Sequence, residues 1–285
     1  MTDLQFPQSL TEIHDRYDAI FCDVWGVIHN GRRAFDDACD ALANFRRAGK
    51  PVILITNAPV QARDVERLFE PIGVRRDCYN AIASSGDATR LVLKDRAPGP
   101  AYRLGVNDKW RSDDGLFEDL GLEFAGVDEA EFIIAMGLDD PENDNPDDYR
   151  DLLIRLQSRN LTMVCANPDI QVRVGNDLQW CAGALARIYE ELGGEVIYPG
   201  KPHDAIYELA RRHLSRISER PAAEHRILAI GDGPGTDILG AMNQNLDSLY
   251  VGTGINMSET NFEDDTRNLF SRYGVMATYA MPGLC

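Results

Sequence analysis

Ala19-Ile20-Phe21-Cys22-Asp23-Val24-Trp25-Gly26 is the stretch whose reading decides the fold. Its apolar run is continuous rather than alternating and too short for a helix, which describes a strand buried on both faces. The strand ends on a carboxylate, Asp23. Downstream, Ala38, Ala41, Leu42 and Phe45 recur at helical spacing and Gly49 is placed to stop that helix. Pro51-Val52-Ile53-Leu54-Ile55 is a second strand, delivering Thr56-Asn57, and Pro59 suits the first turn of a helix reaching about Phe69. Asn80 to Ala83 makes a third strand, after which Ser84 or Ser85 can cap a helix. Strand and helix in alternation mean an α/β protein built on a parallel sheet.

From about Leu91 the pattern changes. Ala97-Pro98-Gly99-Pro100 breaks the chain, and a second alternating set follows, with strand-like runs at Tyr102 to Val106, Glu131 to Met136 and Leu161 to Ala166. A helix is expected from Pro146 to Arg159, capped by Asn145. The first style then returns: a helix over Ala182 to Leu192, a strand over Glu195 to Tyr198 leading to Pro199-Gly200-Lys201, and a helix over Ala205 to Leu214. A strand over Ile227 to Ile230 leads to Gly231-Asp232, then a helix from about Ile238 and a strand over Ser248 to Val251. Residues 1–80 and 195–285 are therefore expected to form one α/β domain, with 81–194 a second α/β domain inserted into it.

Composition limits the function. With 29 basic against 46 acidic residues and a net charge of −17, the chain is a poor nucleic-acid partner, since phosphate backbones are held by Lys/Arg-rich surfaces. No apolar run approaches the roughly 18 residues of a membrane span, and the N-terminus lacks a signal-peptide pattern, so a cytoplasmic address and no membrane partner are expected. The six cysteines are scattered without a C-x-x-C pair, which argues against a disulfide framework or zinc site. Cys22 and Cys165 lie in apolar runs, as buried thiols do. The acidic run from Asp139 to Asp148 resembles a calcium loop in composition, but Asn145 stands where the central glycine belongs and Asp151 where the final glutamate belongs. An exposed acidic loop entering a helix N-terminus accounts for it better.

Three expected strand ends carry polar residues that apolar strands do not need: Asp23, Thr56-Asn57, and Asp232 with Asp237. Lys201 lies in a turn before a helix. In a parallel α/β sheet the strand C-termini share one edge, so these groups can converge. A carboxylate can attack phosphorus, Mg²⁺ and a lysine neutralise the transferring oxygens, and Mg²⁺ takes one or two carboxylates plus waters and substrate oxygens. Asp23 and Asp232 can supply those carboxylates, with Asp237 behind them. Each residue also has a plainer role: Asp23 and Asp232 as turn residues, Thr56 as a helix cap, Lys201 as a surface lysine.

Asp23-Val24-Trp25-Gly26-Val27-Ile28, Ile55-Thr56-Asn57, Gly200-Lys201-Pro202 and Gly231-Asp232-Gly233-Pro234-Gly235-Thr236-Asp237-Ile238 occur in that order. Together they resemble the four motifs of the haloacid dehalogenase superfamily. Ser84-Ser85-Gly86-Asp87-Ala88, Asn167-Pro168-Asp169 and Gly183-Ala184 resemble its class IIA branch of NagD-like and p-nitrophenyl-phosphatase-like enzymes, within it a subgroup with an Asp-Val-Trp-Gly-Val first motif. The similarity runs from about Tyr17 to Gly254. It implies a Rossmann-like core with an inserted cap, and Mg²⁺-dependent hydrolysis of a small phosphorylated metabolite through an aspartyl-phosphate. Asp23 would be the nucleophile; Thr56, Asn57 and Lys201 the phosphate binders, with Lys201 also catalytic; Asp23, Asp232 and the Trp25 backbone carbonyl the metal ligands. Asp237 would support the metal site or Lys201.

The first motif departs from the pattern. Phosphatases of this superfamily usually carry Asp two residues after the nucleophile, as acid and base; here that residue is Trp25, which has no usable proton. Slow turnover is expected. His29 and His203 lie near motifs and titrate in the right range, although a lone histidine is more often structural. The rival reading is a catalytically silent protein that binds a phosphorylated ligand as sensor or scaffold. Dehalogenation is disfavoured because Asp232 and Asp237 imply a metal that dehalogenases do not need. Self-association and substrate identity stay open.

Overall fold

The computed structural model describes residues 4–105, 114–175, 177–218, 221, 223, 226–254 and 261–285. In chain order its strands are β1 (Ala19–Asp23), β2 (Val52–Thr56), β3 (Ala81–Ser84), β4 (Ala101–Leu104), β5 (Phe132–Ala135), β6 (Thr162–Cys165), β7 (Gln171–Val174), β8 (Asp177–Trp180), β9 (Val196–Ile197), β10 (Ile227–Gly231), β11 (Asp247–Val251) and β12 (Tyr279–Met281). They form a six-stranded sheet ordered β12-β11-β10-β1-β2-β3, a four-stranded sheet ordered β4-β5-β6-β9, and a β7-β8 hairpin.

Every pairing in the larger sheet is parallel, and β1 sits at its centre with Ala19 opposite Ile227 and Ile20 opposite Val52. Alternate side chains of β1 and β2 face opposite cores. Ile20, Cys22, Val52 and Leu54 pack with Leu42 and Phe45 of helix Asp36–Arg47. Ala19, Phe21, Ile53 and Ile55 pack with Ile206, Tyr207, Ala210 and Leu214 of helix Asp204–Ser218. Burial on both faces explains the continuous apolar runs, each such side chain contributing about 1.5–3 kcal/mol. The strand order reverses between β1 and β10, which opens a crevice at their C-terminal ends. Asp23 ends one of these strands and Asp232 follows the other.

The smaller sheet is also parallel. Helices Arg150–Ser158 and Ala182–Glu191 cover one face through Leu153, Leu156, Leu185 and Tyr189. Leu93, Leu116 and Leu120 cover the other. Asn145 caps as expected, its side chain accepting from Asp147 N–H at 3.0 Å while Asp148 returns a bond to the Asn145 N–H. In the acidic loop, Asp140 accepts from the backbone of Glu142 and Asn143, which is the turn chemistry expected there.

Two boundaries move. The expected break at residue 81 falls one strand early, because β3 pairs in parallel with β2 in the larger sheet. Helix Ser85–Lys94, capped by Ser84, then bridges the two units, with Ala88 in the larger core and Leu93 in the smaller. The return at residue 195 is likewise early: Val196 and Ile197 pair with β6 in the smaller sheet. Both apolar runs are too short to declare their sheet. The β7-β8 hairpin, β12 and helix Phe262–Tyr273 were not anticipated. The expected strand end at Val106 lies outside the described residues.

Among the described residues no helix is long and apolar enough to cross a membrane. The cysteines are free thiols, and Cys22 and Cys165 are buried.

Candidate active site

β1 carries Asp23 to the crevice, where it is 6% exposed, and Lys201 reaches it from the turn before helix Asp204–Ser218. Lys201 is 3% exposed, and its ammonium donates to Asp23 Oδ1 and to Asp237 Oδ1, the latter at 2.7 Å. Asp237 is set by a π turn over Pro234–Ile238, closed by Ile238 N–H donating to the Gly233 carbonyl at 3.1 Å. Its second oxygen accepts from Gly233 N–H at 3.0 Å. One wide turn thus aims a carboxylate inward and satisfies it. Such bulges recur at functional sites.

Carboxylate oxygens of Asp23, Asp232 and Asp237 all lie within 4.8 Å of one another. Glycines clear the seat of Asp232. A Cβ on Gly254 would run into the Asp232 carboxylate, and one on Gly26, which sits at φ +87°, would press on it too. Three carboxylates against one ammonium leave two negative charges in excess, so the donor set fits a divalent cation.

Electrostatics follow from this crowding. Burial, reinforced by Asp237 and opposed by Lys201, pushes the Asp23 carboxyl well above its usual range. Burial acts to lower the Lys201 pKa, but Asp23, Asp237 and Asp169 outweigh it and hold the ammonium charged.

Thr56 is buried at the end of β2, and its hydroxyl oxygen accepts from Ala58 N–H at 3.2 Å. That bond closes a local turn and caps no helix, because the next helix starts at Ala62 with Gln61 at its N-cap. The hydroxyl proton remains available to an incoming acceptor. Asn57 lies buried beside Thr56, and its side chain is bonded within the protein. Its Oδ1 accepts from Lys201 N–H at 2.8 Å, while its Nδ2 donates to Asp169 Oδ1 at 2.8 Å and to the Lys201 carbonyl at 3.3 Å. Both amide protons are engaged, so the side chain fixes Lys201 rather than a ligand. Gly200 permits that approach, since a Cβ there would strike Asn57 and Ser85.

A cleft of about 720 Å³ opens above these groups, lined by Asp23, Trp25, Thr56, Lys201 and Asp232 below and by Asp169, Arg173, Arg187 and Tyr198 opposite. Trp25 lines it half-buried, and its indole Nε1 donates to the Arg173 carbonyl at 2.6 Å. The two histidines separate. His29 is buried, accepts at Nδ1 from Gly31 N–H at 2.9 Å, and is pushed down to about 4 by burial. It does not line the cleft and is no acid or base for it. His203 does line the cleft, exposed and stacked on Tyr198 at 5.0 Å between ring centroids. Burial lowers its pKa, with Asp204 and Glu190 opposing. Asp169 went unassigned in the sequence beyond its place in Asn-Pro-Asp. Burial raises its pKa, with Lys201 and Asn57 opposing.

A haloacid dehalogenase-like hydrolase family model matches residues 20–111, and a second, HAD-hydrolase-like, matches residues 198–268. Among curated proteins the chain is 25% identical over 254 residues to 5'-nucleotidase YutF of Bacillus subtilis, covering 87% of this chain and 92% of that one. It is 25% identical over 242 residues to ribonucleotide monophosphatase NagD of Escherichia coli, covering 83% and 88%. Among solved structures, a haloacid dehalogenase-like hydrolase from Brucella suis superposes with a TM-score of 0.86 at 38% identity, covering 98% of this chain and 100% of that one. Similarity at that level over the whole length, with the four motifs meeting at one sheet edge, means that the chain belongs to the haloacid dehalogenase-like hydrolases.

Proposed function

We propose that this protein hydrolyses small phosphate monoesters in two steps, with Asp23 as the nucleophile. One observation carries the reading: a buried aspartate at a central strand end, bonded to a buried lysine and facing two further aspartates in an open cleft. An Asp23 oxygen attacks phosphorus, the bond from phosphorus to the ester oxygen breaks, the alkoxide leaves and takes a proton from water, and an aspartyl-phosphate forms. Water then attacks the phosphorus, releasing phosphate and regenerating the carboxylate. Lys201 holds charge beside the attacked group, Thr56 offers its hydroxyl proton to a phosphate oxygen, and Asp237 keeps Lys201 aimed. Mg²⁺ is the cation we assign to the Asp23 and Asp232 carboxylates and the Trp25 backbone carbonyl; when bound it neutralises charge on the transferring oxygens. The names of YutF and NagD point to nucleotide-sized phosphorylated metabolites, and the cleft volume suits a ligand of that size.

The leaving-group proton is not supplied by Trp25, so turnover is slow with poor leaving groups. The same observation favours a second reading, a protein that binds a phosphorylated ligand without turning it over, because the indole N–H is already given to Arg173. A panel of phosphate esters with and without Mg²⁺ separates the two. Turnover that needs Mg²⁺ and vanishes in Asp23→Asn is the expected result. Retained turnover in that variant would mean direct attack by water, and no hydrolysis across the panel would leave the silent binder.

A further inference from the structure

Trp25 is held as a fixture of the fold. Its ring meets the His29 ring edge-on, with centroids 4.9 Å apart at 70°, and a Cβ on Gly31 would run into its six-membered edge. His29 is itself pinned by Gly31 N–H and by an edge contact with Phe69 at 5.9 Å. From this seat the indole Nε1 reaches the Arg173 carbonyl on β7 at 2.6 Å. A second bond runs the other way: Gly175 N–H, at the hairpin turn, donates to the Asn30 carbonyl at 3.1 Å. Gly175 sits at φ +65°, a conformation that strains any residue with a Cβ, and a Cβ there would also displace the exposed Arg32 side chain, 2.5 Å away at its Nε.

The hairpin's other ties are peripheral: Trp180 packs half-buried against the smaller core, Gln179 donates to Glu142 at 3.4 Å, and Arg32 faces Asp177 at 4.0 Å. None of its described strand residues is buried, and Leu178 is 46% exposed. A two-stranded hairpin is at best marginally stable by itself. Yet Gln171, Val172 and Arg173 form part of the cleft wall opposite Asp23. We propose that Trp25 is a positioning residue, a clamp that holds the β7-β8 hairpin over the Asp23 cleft. Its contribution is retention of the substrate, not proton transfer. An indole N–H already donated to a main-chain carbonyl, on a ring wedged between His29 and Gly31, is suited to holding and unsuited to shuttling protons.

Trp25→Phe tests this, because it keeps an aromatic ring beside His29 and deletes only the N–H bond. Hydrogen exchange of the hairpin amides over residues 171–180 should speed by about 3–10-fold, the change expected for losing one neutral hydrogen bond. The kinetic arm rests on the phosphatase reading. KM for p-nitrophenyl phosphate should rise by a similar factor while kcat changes less than twofold. Unchanged exchange in a folded variant overturns the clamp, and so does a fall in kcat at constant KM, which would put Trp25 in the chemistry. Gly175→Ala provides a second break with Trp25 intact. It should speed exchange in the facing loop, residues 26–33, and raise KM in the same direction. Unchanged loop exchange there overturns the proposal even if Trp25→Phe fails to fold. Absence of hydrolysis in the wild-type protein would refute the phosphatase reading alone, leaving the exchange measurements to judge the clamp.

Discussion

Replacing Lys201 by methionine removes the cation bonded to both Asp23 and Asp237 while filling most of its volume. Lys201 is 3% exposed and its ammonium makes two charge-assisted bonds, so the variant leaves two buried carboxylates without their counter-charge. Breaking a buried ion pair from one side costs about 3–5 kcal/mol. At roughly 2–4 °C per kcal/mol for a chain of this order of size, melting should fall by on the order of 10 °C in chelator at pH 7.5. The sign of the pH dependence is fixed. Burial already holds the Asp23 carboxyl above the ordinary range, and losing Lys201 raises it further. Between the unfolded value near 4 and the raised folded value, the native state binds more protons than the unfolded state, so the variant loses stability as pH rises and recovers it on acidification.

Mg²⁺ should oppose the same penalty. A ligand at about 100 times its Kd stabilises the native state by about 2.7 kcal/mol. Carboxylates relieved of a competing ammonium should hold the cation more tightly, so Mg²⁺ should raise the melting temperature of Lys201→Met by more than that of the wild type. Scanning calorimetry in chelator and in millimolar Mg²⁺, at pH 7.5 and 5, reads all three effects. An unchanged melting temperature at pH 7.5, or a deficit indifferent to pH, would refute the account of the lysine as the charge balance of the site.

Asp232→Ala should abolish most Mg²⁺ affinity by calorimetry with little loss of stability, since it deletes one of three mutually repelling carboxylates; unchanged binding would remove Asp232 from the metal site. Trp25→Asp should speed hydrolysis of alkyl phosphates more than that of p-nitrophenyl phosphate, because positioned acids contribute about 10²–10⁴-fold and a nitrophenolate needs little protonation. Its melting must be measured alongside, as losing a buried tryptophan ring can cost about 3–5 kcal/mol, and equal gains on both esters would refute the missing-acid argument. His29, pushed down to about 4, stays neutral in the folded state while the unfolded chain takes up its proton below about 6.5. Stability should therefore fall by about 2 kcal/mol more from pH 7 to pH 5 in the wild type than in His29→Gln by urea titration, and identical slopes would contradict the burial argument.

The larger sheet was legible because its strands are buried on both faces and end on polar residues. Asp23, Thr56 and Asp232 stand out by that contrast between an apolar run and the group terminating it, Lys201 only through its Gly-Lys-Pro motif, and all four line one cleft. Asn57 shows what strand-end logic misses. The sequence places it beside Thr56 but cannot say that its amide is spent on Lys201 and Asp169, residues 144 and 112 positions away. The β7-β8 hairpin escaped for another reason. Gln171-Val172-Arg173-Val174 and Asp177-Leu178-Gln179-Trp180 do alternate polar and apolar residues across Gly175-Asn176, but each run is only four residues long. The hairpin's fixed points, a bond from the Trp25 indole and one to the Asn30 carbonyl, fall on its main chain and leave no trace in side-chain pattern.

These cross-links explain how an inserted unit can shape a site whose reacting groups lie on the larger sheet. Three side-chain bonds are among those that fasten the smaller unit around the cleft: Ser85 Oγ donates to the Ala166 carbonyl at 2.6 Å, Asn57 holds Asp169, and Trp25 holds Arg173. The first two follow β6 closely in sequence and lie beside the chain crossings, where Gly183 packs against the Pro168 and Asp169 carbonyls so tightly that a side chain would not fit. They fix one edge. The third is farther along the chain and joins a hairpin that lacks a core of its own. If one fastening yields at low cost, it is this one. Two rigid hinge-side contacts with one breakable contact opposite would let the cleft admit a substrate without disturbing the Lys201 network. On that argument exchange in the wild type should be ordered, fastest at Gly175 and slowest at Lys201. A Lys201 amide exchanging as fast as that of Gly175 would show that the cleft opens by a larger rearrangement.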